Sequence, residues 1–81
     1  MRRSLNEIES LIKEGLKQDG YPDADSYSRR EIIRILEKCF QEIARSCPYY
    51  SESKTLALQG AKIQLLEFFH ITEAELDYYC Q

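Results

Sequence analysis

The sequence predicts an all-α fold: a small up-down-up three-helix bundle closed by a short fourth, C-terminal helix. Three observations predict it. Apolar residues recur at helical spacing through three long stretches. Ser or Thr followed three residues later by Glu marks a helix start at Ser4, Ser28 and Thr72. No stretch shows the apolar–polar alternation of a strand, and the links are short, which favours antiparallel neighbours. Helices are expected over residues 5–18, 29–46, 52–69 and 73–80, in one domain spanning residues 1–81.

The first helix opens at Ser4, with Glu7 completing a capping box. Leu5, Ile8, Leu11, Ile12 and Leu16 form its apolar face, and Glu7, Lys13, Glu14 and Lys17 point away. Gly15 lies within the apolar stripe. A glycine there costs about 1 kcal/mol against alanine, so it either permits a close approach to a neighbouring helix or weakens the last turn. Gly20 supplies the left-handed stop. Residues 21–27, YPDADSY, form the main loop. Pro22 excludes helix for Tyr21, and Asp23, Asp25 and Ser26 are turn formers. The D-x-D spacing lacks the glycine and distal glutamate of a calcium loop, so the acids are read as neutralising the following helix start.

The stretch from Ser28 to Cys47, the longest clean helical pattern, organises the rest. Ile32, Ile33, Leu36, Cys39, Phe40, Ile43, Ala44 and Cys47 make a band broad enough for two neighbours. Arg29 and Arg30 stand at its start, where positive charge opposes the helix dipole by a few tenths of a kcal/mol, on the order of 0.3. The third helix is expected to open near Ser51. Its main face is Ala57, Leu58, Ala61, Leu65, Phe68 and Phe69. A second apolar set, Leu56, Ile63 and Leu66, lies on another side, which suits a sandwiched helix or an interface. Thr72 and Glu75 then open the last helix, with Leu76, Tyr79 and Cys80 covering the end of the bundle.

The 81 residues carry a net charge of −3, with 31% charged and 43% apolar residues. That is globular composition, with no global attraction to nucleic acid or anionic membrane. No apolar run approaches the roughly 20 residues that span a bilayer, and the opening MRRSLNEIES has no apolar core of a signal peptide. A cytoplasmic address follows. It suits three cysteines with no C-x-x-C pair, expected as buried free thiols.

Chemistry is weakly signalled, and no enzyme is expected. His70 is the only histidine, and a helix end is where it satisfies terminal carbonyls. Cys39, Cys47 and Cys80 lack metal-ligand spacing, three glycines are too few for a phosphate cradle, and no catalytic motif occurs. No cofactor and no metal are expected. The surface carries more. Arg30, Arg34, Lys38 and Arg45 are spaced four, four and seven apart, one helix face, read either as solvated and paired to Glu31, Glu37 and Glu42 or as a docking strip. Tyr49, Tyr50, Tyr78 and Tyr79 fall in links or the last helix, where tyrosine suits a partner contact. Leu56, Ile63 and Leu66 are expected to mediate self-association. The segment LEFFHITEAELDYY imitates a helix-turn-helix, but its second helix is acidic and would be repelled by a DNA groove. The expected function is a non-catalytic helical protein-interaction module (an adaptor, inhibitor or assembly subunit), possible as a homodimer. The alternative is a nucleic-acid-associated regulator using the basic face of the second helix.

Overall fold

The computed structural model describes residues 3–48 and 51–81. Among the described residues four helices follow one another, α1 (Leu5–Gln18), α2 (Arg29–Ser46), α3 (Lys54–Phe69) and α4 (Glu73–Cys80), with one 3₁₀ turn at Ala24–Ser26. The fold is all-α. The molecule measures 38 × 30 × 19 Å, so its thinnest dimension is about two helix diameters.

Burial explains each helix. Ile8, Ile12 and Leu16 of α1 are wholly buried, as are Ile32 of α2 and Tyr79 of α4, with Leu36, Leu65, Phe69 and Ile71 nearly so. Each such aliphatic side chain contributes about 1.5–3 kcal/mol. Phe40 and Ile43 are half-buried against this core. The α2 and α3 helices run antiparallel: Cys47 shares a groove with Gly60, whereas Cys39, two turns earlier, shares one with Phe68.

Gly15 answers the question its position raised. A Cβ built there would lie 2.4 Å from Cδ1 of Phe69. The Phe69 ring therefore occupies the space a side chain at position 15 would need, and the glycine is what lets α1 and α3 meet. Both residues lie in the last turns of their helices, so α1 and α3 approach one another at their C-terminal ends.

Several expectations need correction. The α3 helix begins at Lys54, not 52, because Ser53 rather than Ser51 is the cap, its Oγ accepting from the Leu56 amide at 3.4 Å. Its core face is the i, i+4 row Ala57, Ala61, Leu65 and Phe69, whereas Leu58 is half-buried and Phe68 is exposed. The cap at Ser4 is half a box: the hydroxyl accepts from the Glu7 amide but donates to the Glu7 carboxylate, which therefore does not reach back to the Ser4 amide. The boxes at Ser28 and Thr72 are complete. The cysteines are free, but Cys39 and Cys47 are half-buried and Cys80 is exposed, not buried.

The loop acid Asp25 faces α1. Asp25 pairs with Lys17 at 2.7 Å, and its carbonyl accepts from Lys13. Arg29 is offset by α4 instead. Its Nε donates to the Tyr79 carbonyl at 2.9 Å and its Nη2 donates to both the Tyr79 and Gln81 carbonyls. An arginine that opposes the dipole of its own helix thereby caps the negative end of another.

Candidate interaction surfaces

A polar seam fixes α4 and so decides which faces are left outside. Arg3 forks onto Glu75, with Nε 2.6 Å from one carboxylate oxygen and a terminal nitrogen 2.7 Å from the other. The same arginine donates to the His70 carbonyl at 3.1 Å. Glu75 also accepts from the Thr72 amide as the far half of the capping box. The Arg3 hydrogen bond, helped by that amide, pulls the Glu75 carboxyl down to about 2. Tyr79 is the largest fully buried side chain and its hydroxyl donates to Glu9 at 2.7 Å. Burial, then the Glu9 carboxylate beside it, pushes the Tyr79 phenol up. Burial also opposes the charge on Glu9, but the hydrogen bonds from Tyr79 and Lys13 outweigh it and leave this carboxyl below its ordinary value. The Arg29 guanidinium lies 5.1 Å from the centre of the Tyr79 ring.

Tyr79 was expected on a partner-facing surface, and that expectation is corrected: it is 0% exposed and all its polar capacity is used inside the protein. Tyr78 beside it is half-buried and packs against the core. Tyr49 and Tyr50 lie outside the described residues. Among the described loop residues, Tyr21 packs against Tyr27, edge to face at 6.5 Å.

The outer face of α2 contrasts with the seam. Arg30, Arg34, Lys38 and Arg45 are all exposed. Among the described residues, Arg3, Lys13, Lys17 and Lys62 form ion pairs, and none of the four α2 cations does. The expected i, i+4 pairs to Glu37 and Glu42 are not made. Glu31 spends its carboxylate on the Ser28 amide at 3.1 Å, with Arg34 as a neighbouring charge that helps to keep it ionised.

The outer face of α3 carries two large apolar residues in solvent among polar ones. Leu56 is 59% and Ile63 is 57% exposed. They are two turns apart on one stripe, with Gly60 between them, where an added Cβ would meet open space. Leu66, assigned to the same stripe, is half-buried and packs on the core.

Two of the grooves along α2 adjoin one another at its N-terminal half. One, about 270 Å³, runs between α2, α3 and α4 and is lined mostly by apolar side chains, including Ile33, Phe40, Leu65 and Leu76. A shallower depression beside it holds Arg30, Arg34 and the end of the chain at Gln81, and the two share Ile33 and Glu37. The sequence showed the arginines but not this groove, because α4 is what builds its third wall.

His70 has a structural part that sequence reasoning missed. It adopts the left-handed conformation, with φ of 57°, and the Ile71 amide closes back onto the Leu66 carbonyl at 3.2 Å. The backbone of His70, not its ring, ends the helix. Among the described residues no group of three or more His, Cys, Asp or Glu side chains is arranged to hold a metal ion, and no helix is long and apolar enough to cross a membrane. No protein-family model matches the chain, and neither a curated protein nor a solved structure matches it significantly.

Proposed function

We propose that this protein is a small non-catalytic helical module that works by protein–protein contact, as an adaptor, inhibitor or assembly subunit of the cytoplasm, where its three free thiols persist. The observation that carries the reading is the α3 stripe. Leu56 and Ile63 are each more than half exposed although α3 already fills the core with its opposite face. Two large aliphatic residues one heptad apart, separated by a glycine, favour a helix laid against them.

A second copy of the chain is the simplest such helix. Antiparallel pairing about a two-fold axis near Gly60 brings Leu56 onto Ile63 of the partner subunit, the self-complementary arrangement of a symmetric dimer. Two side chains from each copy cover far less than the roughly 1,200 Å² of a standard stable interface, so the association is weak and concentration-dependent. Sedimentation across a wide concentration range is the test. A mass that rises with concentration and is held at the monomer by Ile63→Asp supports the reading. A monomer at every concentration removes the dimer.

The nucleic-acid alternative draws on the unpaired cations of α2. Its support is limited by the acids on the flanks of the same face, and binding of duplex DNA that weakens steeply with salt is its signature.

A further inference from the structure

Arg30 and Arg34 are exposed, make no ion pair among the described residues, and rim a depression that runs into the apolar groove between α2, α3 and α4. We infer that this groove and its arginine edge form a docking site for an acidic amphipathic helix of another protein. The inference shares with the reading above only the premise that the chain acts through protein contacts. It concerns a different surface and does not require the α3 dimer.

Two independent features define the occupant. The first is the groove. Ile33, Leu36 and Phe40 of α2, Leu65 of α3 and Leu76 of α4 line about 270 Å³ of open space. That is room for one or two apolar side chains and supplies the central, desolvated contact on which interface affinity depends. The second is the charge beside it. Arg29 is tied to the carbonyls at the end of α4, so it fixes that wall of the site. Arg30 and Arg34, one turn apart, are free to receive carboxylates. Their separation is about 6 Å along the axis at 1.5 Å per residue. A helix with acids at i and i+4 repeats that spacing, so its carboxylates meet both guanidiniums while its apolar face enters the groove.

The flanking acids decide between a protein and a nucleic acid. Glu37 lines both the groove and the depression, and Asp77 stands at the groove. Over the whole outer face, Arg30, Arg34, Lys38 and Arg45 are offset by Glu31, Glu37 and Glu42, which leaves one net positive charge. A phosphate backbone gains little from such a strip and is repelled at its shoulders. A peptide helix places acids at the arginines and a cation of its own near Glu37 and Asp77, matching the surface sign by sign.

The test uses designed peptides. One is an amphipathic helix with leucines on one face and glutamates along one edge. A second replaces the glutamates by lysines, a third replaces the leucines by alanines, and a short DNA duplex is the fourth probe. Binding to the full chain is followed by fluorescence anisotropy. The inference expects the leucine–glutamate peptide to bind at least about tenfold more tightly than the other three. Arg30→Glu with Arg34→Glu should cost about tenfold with that peptide, restore binding of the lysine peptide, and leave the melting temperature unchanged. Ile63→Asp should not alter peptide binding, which separates this site from the α3 stripe. Equal affinity for the acidic and basic peptides, no saturable binding of the acidic one, or preferred binding of the duplex overturns the inference.

Discussion

Arg29 and Arg30 are adjacent in the chain and occupy opposite electrostatic circumstances. Arg29 turns inward to the seam around α4, where it covers the Tyr79 ring and satisfies terminal carbonyls. Arg30 turns outward with Arg34, Lys38 and Arg45 to a face where no carboxylate pairs with it. In the seam, Arg3, Glu9, Arg29, Glu75 and Tyr79 spend their polar groups on one another, on Lys13 or on backbone ends. The difference teaches that charge in this protein does two jobs. On one side it holds the smallest helix in place, and on the other it is left available.

Three measurements sharpen or break that comparison. The largest effect is expected at Tyr79. Tyr79→Ala empties the core and removes the hydrogen bond to Glu9, a loss of about 3–5 kcal/mol. An 81-residue domain holds only about 4–12 kcal/mol, so chemical denaturation should find the variant largely unfolded or close to it. A cost under about 1 kcal/mol would show that α4 is not part of the cooperative core.

Acid should act on the seam next. The Glu75 carboxyl, ordinarily near 4.5, lies at about 2 in the folded protein. A depressed carboxyl contributes stability that is fully present above its unfolded value and lost as pH falls from about 4.5 toward 2. Glu9 and Glu31 are lowered as well and act with the same sign. Glu75→Gln should cost about 1–2 kcal/mol at neutral pH and flatten the acid limb of the stability profile. An unchanged acid limb in Glu75→Gln would remove Arg3–Glu75 from the account.

The smallest effect belongs to the outer face of α2. Arg34→Ala and Lys38→Ala should shift unfolding free energy by no more than about 0.5 kcal/mol, since neither cation has an ion-pair partner to lose. A loss several times larger would mean that these cations are structural, and the two regions would no longer differ in kind.

The two helix ends at Gly20 and His70 show how much was legible beforehand. Both close with an amide five residues along bonding back, Tyr21 to Leu16 and Ile71 to Leu66. At Gly20, with φ of 99°, the residue type itself announced the left-handed turn. At His70 it did not. A non-glycine residue pays about 1–2 kcal/mol for that conformation, and it is held there by Ile71, buried in the core, and by Arg3, bonded to its carbonyl. The α2 cations and the pair Leu56 and Ile63 were equally legible, because exposure of a helix face follows from periodicity. Tyr79 was read two ways, as covering the end of the bundle with Leu76 and Cys80 and as a partner contact with Tyr78, and only the direction from which α4 docks decides for burial.

The sequence by itself determined the four helices, three of their four starts and the core faces of the first two. Capping and periodicity are local, and act over one or two turns of chain. Only the tertiary structure decided that Gly15 receives the Phe69 ring, that Arg29 caps α4 instead of pairing with the loop acids, and that α4 completes a groove beside Arg30. Each of those joins residues distant in the chain, and such contacts are chosen by which arrangement buries the apolar faces without stranding a polar group.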